Sequence, residues 1–237
     1  MAPPGRARLA FGLALVLLPL LAGCRTSFVR RGVERRLERK LAEFLGPAEK
    51  YRVRIQDTRD RELVLGRAHR VDITGTGIHA KRQFRIEALR LAFIDLRYEQ
   101  GDTELVSVRR SDLEVEFTDK ALNEYLQATF ARYNPEVRFE PDAVYVRITY
   151  PFLGQPTVIT ARGRFHIQEG RKLLFDAETA DVSFLNQPGF AERFVEDRVN
   201  PLLDIERFDF PARLESVQVL QGRVRAYGTA ALRKELD

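Results

Sequence analysis

The residues able to do chemistry are few and scattered. Cys24 is the only cysteine of 237 residues and directly follows Leu21-Ala22-Gly23. Its thiolate is a nucleophile, and small residues ahead of it leave the backbone open to a peptidase. The three histidines, His69, His79 and His166, lie in or beside strand-like segments, and no two have the spacing that sets a pair of imidazoles on one helix face for zinc. The five serines include no Gly-x-Ser-x-Gly elbow. Gly75-Thr76-Gly77 is not followed by a helical pattern, so it offers no helix N-terminus to a phosphate. Acidic residues are many but scattered between strands, where solvation explains them. Tryptophan is absent, which removes the usual platform for stacking a sugar. Neither a catalytic set nor a metal site is read from this inventory. A hydrolase assembled from distant His, Ser and carboxylates stays open as an alternative.

The segment that positions Cys24 gives its chemistry a direction. Arg6 and Arg8 precede an apolar run, Leu9 to Leu21, broken only by Gly12 and Pro19. Thirteen helical residues reach only about 20 Å, short of the roughly 30 Å core of a bilayer. The run therefore has the length of a signal-peptide core rather than of a membrane span. Leu21-Ala22-Gly23-Cys24 resembles the lipobox of bacterial lipoproteins, at which the thiol accepts a diacylglycerol. Residues 1–23 are expected to be a lipoprotein signal peptide and 24–27 a lipidated, palmitate-bearing N-terminus. The expected location is the cell envelope, lipid-anchored on its extracytoplasmic side. In a host with two membranes, Arg25 in place of Asp resembles the class sorted to the outer membrane, on its periplasmic face. Acylation of Cys24 would leave no thiol for disulfides or Cys-based metal sites.

The formal charge of +5 is unevenly spread. Residues 25–40 hold seven Arg or Lys against two Glu, a net +5, whereas residues 41–237 sum to −2. The basic excess thus lies beside the expected anchor, and the body is nearly neutral. This distribution and the secretion signal argue against nucleic acid and for an anionic membrane surface, where each Lys or Arg contributes on the order of 1 kcal/mol. Arg30, Arg31, Arg35, Arg36, Arg39 and Lys40 are the candidate surface residues. They sit on an amphipathic helix expected over residues 28–46, with Val29, Val33, Leu37 and Leu41 in one stripe and Gly46-Pro47 as its stop. The apolar stripe can dock on the protein's own core or lie on the membrane.

From Tyr51 the hydrophobic period changes to two, with Tyr51, Val53 and Ile55 alternating with Arg52, Arg54 and Gln56. Further strands are expected at Leu63–Leu65, Arg70–Thr74, Gln83–Phe93, Glu104–Val108, Asp112–Phe117, Val144–Tyr150, Thr157–Ile167, Arg171–Ala177 and Asp181–Phe184. Glu169-Gly170 and Gln221-Gly222 read as tight turns, the latter pairing Val217 and Val219 with Val224 and Ala226. Short connections imply antiparallel sheet. Two helices interrupt the strands: one capped by Thr118 and carrying Leu122, Tyr125, Leu126, Phe130 and Tyr133, the other from Pro188 to Asn200-Pro201.

Phe190–Val199, then Asn200-Pro201-Leu202-Leu203-Asp204, Phe208–Pro211, Leu214–Val219 and the Gly222-Arg223-Val224 hairpin follow in an order that resembles the LmeA-like phospholipid-binding family of bacterial envelope proteins. Leu63-Val64-Leu65-Gly66-Arg67 is similar to that family's early Leu-x-Gly strand end, and Phe117-Thr118-Asp119-Lys120-Ala121-Leu122 to its strand-to-helix junction. The resemblance spans most of residues 30–230. It implies an α+β fold similar to the tubular lipid-binding (TULIP-like) superfamily, a long curved antiparallel β-sheet wrapped around helices, here with an N-terminal amphipathic helix. One such domain is expected over residues 47–232, followed by a tail at 233–237.

The implied ligand is a phospholipid or similar diacyl lipid, with no other cofactor. The expected groove lies between the sheet and the later helices, lined by Leu122, Leu126, Phe130, Val146, Ile148, Phe165, Phe190 and Phe194. The same residues would equally fill a dry core. Three function classes follow: a lipid-binding or lipid-transfer protein of the envelope, an assembly scaffold with a solid core, and an unmarked hydrolase. Membrane lipids are the expected partners; no protein partner is indicated. The tether to a membrane constrains free shuttling of lipid.

Overall fold

A computed structural model describes residues 18–98, 105–152, 155–182, 190–208 and 212–230. The chain opens with helix α1 (Leu18–Leu45), β1 (Lys50–Gln56), the single-turn α2 (Asp60–Val64), β2 (Arg67–Ala80), β3 (Phe84–Tyr98), β4 (Leu105–Ser107) and β5 (Arg110–Thr118). Helix α3 (Asp119–Thr129) and a 3-10 turn (Ala131–Tyr133) lead to β6 (Glu136–Glu140), β7 (Ala143–Phe152), β8 (Gln155–Gln168) and β9 (Lys172–Val182). Helix α4 (Phe190–Val199), β10 (Leu203–Asp204), a second 3-10 turn (Ile205–Phe208), β11 (Ala212–Leu220) and β12 (Arg223–Ala230) complete it.

All pairings are antiparallel, and they build two sheets. The first has the order β1-β2-β3-β5-β12-β11, with β4 on the end of β3; the second has the order β10-β9-β8-β7-β6. The chain builds most of the first sheet, then the whole second sheet, and returns to pair β12 with β5. This is the expected α+β class, a curved antiparallel sheet wrapped with helices, and the second sheet curls into a half-barrel. The curl has a local cause. In β8 the register shifts between Arg162 and Gly163, where a Cβ would collide with the Asp176 carbonyl. The first sheet has a bulge of its own: in β11 the register shifts between Leu214 and Ser216, beside Gly228, where a Cβ would meet the Arg213 carbonyl. Bulges of this kind bend a strand and increase its twist.

Alternation decides which face of the first sheet is buried. In β5 Leu113 and Phe117 face the core, while Glu114 and Glu116 face out. There Arg90 donates to Glu114 at 2.7 Å and Arg225 to Glu116 at 2.7 Å. The hydrogen bond from Arg225 holds the Glu116 carboxyl below its ordinary value, with Arg223 adding to it. Its stabilising effect is present above the ordinary carboxylate pKa and fades as pH falls through the lowered one. Inside, a chain of rings ties the two sheets together: Phe84 to Phe117 at 5.3 Å, Phe117 to Phe139 at 6.2 Å, and Phe139 to Phe165 at 5.7 Å between centroids.

Helices attach to the sheets chiefly at strand edges. Val53 and Ile55 of edge strand β1 donate to Glu38 and Glu34 of α1 at 3.0 and 2.9 Å. On edge strand β6, Val137 donates to the Asn123 side chain of α3 at 2.6 Å, and Asn123 donates back to the Val137 carbonyl at 2.7 Å. Asn200 makes the same two-way clamp on Phe175 of β9, at 2.6 and 2.8 Å, and Glu196 accepts from Ala177 at 2.8 Å. The last edge, β11, meets the turns of the second sheet: Leu214 donates to the Gly170 carbonyl at 2.7 Å, and Asp142 donates to the Val219 carbonyl at 3.3 Å.

The basic helix docks on the body, with Val33, Leu37 and Leu41 packed on the core. It begins at Leu18, ten residues before the expected start, so the Cys24 backbone lies on it; the Cys24 side chain falls outside the described residues. Residues 1–17 and 231–237, which take in most of the expected signal and the whole tail, also lie outside, as do Pro188 and Phe184. Thr118 caps α3, accepting from Ala121 at 3.2 Å. The C-terminal hairpin has the expected register, Val217 opposite Ala226 and Val219 opposite Val224. Three expectations need correction. Leu63–Leu65 is not a strand but the end of α2 and its turn, since Glu62 bonds back to the Arg59 N–H and Gly66 at φ +71° ends the turn. The two strands expected between Arg171 and Phe184 are one, β9. Glu136–Glu140 is an unexpected strand, begun where Asn134 at φ +43° and Pro135 break the helical pattern.

Asn200→Ala removes both partners of Phe175 at once. We expect it to lower stability by about 2 kcal/mol and the Tm by roughly 5 °C. A thermal scan of the variant checks this, and an unchanged Tm would show that the clamp is replaced by water.

Candidate functional site

An apolar pocket opens between the inner face of the first sheet and the segment that links α4 to β11. Its volume is about 720 Å³, counted with the space open at its mouth. The β2–β3 hairpin supplies Ile78, Ala80, Phe84, Ile86 and Leu89; β5 supplies Val115 and Phe117; and β12 and β11 supply Ala226 and Leu214. Across from them stand Leu173, Leu203, Ile205 and Phe208, and Leu45 closes one side as the last residue of α1. Every lining side chain is hydrocarbon. Ile86 and Val115 are half-buried, which places them toward the mouth, while Phe117, Leu89 and Ile78 are fully buried in the floor.

Ring packing holds this wall. Phe84 lies edge-on to Phe117 and to Tyr125 of α3, at 5.3 and 5.8 Å, and tilts against Phe208 at 5.8 Å. Tyr125 meets Phe208 at 5.9 Å, so Phe208 is fixed from two sides although it belongs to an irregular segment. The pocket chemistry is that of an alkyl chain: no charge, no donor and no acceptor is presented by its lining side chains.

None of the expected groove residues lines this pocket. Leu122, Leu126, Val146 and Ile148 are fully buried between sheets and helices. Phe130, Phe165 and Phe194 are half-buried against the core, and the Phe190 side chain lies outside the described residues. Phe194 packs edge-on against Tyr150 at 4.9 Å, under the Arg198 guanidinium at 4.7 Å. The reason is the edge clamps. Asn123, Glu196 and Asn200 draw α3 and α4 onto the strands, and Leu122, Leu126 and Val195 pack there fully buried. The residues missed by sequence reasoning, Ile205 and Phe208, sit in a segment without hydrophobic period; the strand part of the lining was legible as the alternating run beginning at Gln83.

The histidines are dispersed. His69 pairs with Asp95 at 2.6 Å on the surface, where Arg109 also holds Asp95 at 2.6 Å, and His79 and His166 are exposed. Among the described residues no three His, Cys, Asp or Glu gather as a metal set, and no helix is long and apolar enough to cross a membrane. Of the basic candidates, Arg30 donates to the Thr58 carbonyl at 2.7 Å, while Arg31, Arg35, Arg36, Arg39 and Lys40 are exposed on the outer side of α1.

A family model described as LmeA-like phospholipid-binding matches residues 25–229. The chain belongs to that family. No curated protein and no solved structure matches it. Within the LmeA-like match lie both sheets, all the pocket-lining residues and the part of α1 that follows Cys24.

Phe84 is the ring that three others contact. Phe84→Ala should cost about 3–5 kcal/mol, whereas Phe194→Ala, on a half-buried ring outside the pocket, should cost less. Chemical denaturation of the two variants tests the difference.

Proposed function

We propose that the protein is a lipid-anchored envelope protein that holds an acyl chain of a phospholipid in the pocket between its first sheet and the Ile205–Phe208 segment. The observation that carries this reading is the hydrocarbon lining of a pocket in a member of a phospholipid-binding family. Each buried methylene contributes about 0.8 kcal/mol. Eight of them give roughly 6 kcal/mol before the costs of association and ordering, enough to retain lipid through purification. The head group stays at the mouth, beside Ile86 and Val115. We read the protein as binding lipid rather than cleaving it, because the family it belongs to is a phospholipid-binding one.

The anchor is the acylated thiol of Cys24, and the exposed Arg31, Arg35 and Arg39 of α1 add attraction to an anionic surface. The diacylglycerol group expected on Cys24 brings two acyl chains, and a basic segment beside them adds a further attachment signal. The retained lipid serves transfer or envelope maintenance.

Native mass spectrometry of the purified protein should show a mass increment of phospholipid size. Ile86→Trp and Val115→Trp add bulk at the mouth without opening the core, and should abolish the increment while far-UV circular dichroism is kept. Phe194→Ala should retain it. Loss in Phe194→Ala with retention in the two Trp variants would move the lipid to the second sheet, and lipid-free wild-type protein would leave a scaffold with a solid core as the better reading. Separately, Cys24→Ser should remove acyl labelling and shift the protein out of the membrane fraction; persistent labelling would refute the anchor.

A further inference from the structure

The exposed large hydrophobic side chains among the described residues are Phe28, Val29, Phe44, Val64, Leu65 and Val106. All but Phe44 belong to one end of the first sheet. Arg30 of α1 reaches the Thr58 carbonyl just ahead of α2. The Tyr98 hydroxyl donates to the Leu63 carbonyl at 2.6 Å, and the Tyr98 N–H donates to the Gly66 carbonyl at 2.9 Å. β4 then pairs with β3 through Tyr98 opposite Leu105. These bonds bring the start of the described part of α1, the α2 turn and β4 together as one tip. Leu65 is 58 % exposed and Val106 53 %.

Arginines outnumber carboxylates at the tip, where Asp60 and Glu62 of α2 also stand, and five of the arginines lack ionic partners among the described residues. Arg31, Arg59, Arg61, Arg67 and Arg97 are exposed, and none makes an ion pair among the described residues. Arg67 stands directly opposite Arg97 on neighbouring strands. Like charges so placed repel, and an external anion relieves the cost.

We propose that this tip, with Val64, Leu65 and Val106 at its front and the unpaired arginines around them, is a bilayer-contacting surface that enters the interface of an anionic membrane. The occupant is a lipid surface because apolar side chains ringed by unpaired arginines match acyl carbons beneath anionic head groups, and because α1 carries Cys24, the anchor of the proposed function, one turn before Phe28 at this end. The surface is distinct from the pocket. Leu45, at the far end of α1 from Phe28, lines the pocket, and that stretch of helix covers about 25 Å at ~1.5 Å per residue. From Leu89 in the pocket to Tyr98 at the tip, β3 covers about 30 Å at ~3.3 Å per residue. With its tip in the interface the protein stands upright and carries its pocket away from the membrane that anchors it.

The inference goes beyond the lipid-holding reading and fails separately from it. If Cys24 is acylated, an introduced cysteine is the only free thiol, so Leu65→Cys, Val106→Cys, Phe44→Cys and Gln83→Cys can each be labelled with an environment-sensitive fluorophore. The full lipidated protein is reconstituted into phosphatidylcholine–phosphatidylglycerol vesicles carrying a spin-labelled lipid quencher. Because interfacial segments bury about 5–10 Å deep, probes at 65 and 106 should be quenched about twofold or more over those at 44 and 83. Equal quenching at all four sites, or stronger quenching at 44 and 83, would overturn the upright tip. In the same vesicles Leu65→Glu with Val106→Glu should weaken retention at moderate salt; unchanged retention would also count against the tip. Neither result touches the mass increment that reports on the pocket.

Discussion

A β-sheet of finite width has edges, and an unpaired row of backbone N–H and C=O groups has to be satisfied or shielded. That requirement organises this molecule. Two open sheets have four edges, and each finds a different cover: Glu34 and Glu38 on β1, Asn123 on β6, Asn200 and Glu196 on the part of β9 that the two-residue β10 leaves unpaired, and the turns of the second sheet on β11. An asparagine amide presents one acceptor and a donor group, so it can occupy the place of a missing neighbouring strand. Hydrophobic burial brings the helices to the sheets without choosing their depth or rotation. The polar clamps choose both, because each works only at hydrogen-bond distance.

The position of the pocket follows from this choice. Where a helix is clamped, its side chains complete the core, and Leu122, Leu126 and Val195 are fully buried. Space remains where the cover is not a helix but a two-residue strand and a 3-10 turn, Leu203 to Phe208. Such a segment presents only a few side chains to a sheet several strands wide, and three of them, Leu203, Ile205 and Phe208, face the cavity. Phe208 gives this thin cover definition by packing against Phe84 and Tyr125. The pocket is therefore the part of the sheet face that no clamped helix reaches.

The same physics separates what was legible in the sequence from what was not. Strict alternation between turns that need positive φ, as at Glu169-Gly170 and Gln221-Gly222, revealed strands and the register of the last hairpin. The amphipathic stripes of α1 and α3 and the Thr118 cap were equally plain, since both are set by neighbours three or four residues apart. Leu63–Leu65 misled because three apolar residues carry no period. The groove residues were named from helix faces that the folded chain spends on core packing, and nothing local announces that Asn200 will reach Phe175, 25 residues away in sequence. Ile205 and Phe208 had no period to reveal them. Local rules found the elements; the void was decided by long-range hydrogen bonds.

The joint between α1 and the body holds Leu45 in the wall of the pocket. Gly46 ends the helix at φ +110°, and any Cβ there would collide with the His79 carbonyl. The Tyr51 hydroxyl donates to the Gly46 carbonyl at 2.9 Å, and burial pushes that phenol up to about 12, so the bond keeps its proton throughout the physiological pH range. The His79 N–H closes on the Pro47 carbonyl at 2.8 Å. A helix fixed this way at its C-terminal end, and by Glu34, Glu38 and Arg30 along its length, acts as a strut and not as a tether. With the tip seated in a bilayer, a flexible linker would let the pocket fall back to the same membrane. The strut keeps its last residue, Leu45, and the pocket wall that Leu45 forms, about 25 Å from the tip at ~1.5 Å per helical residue.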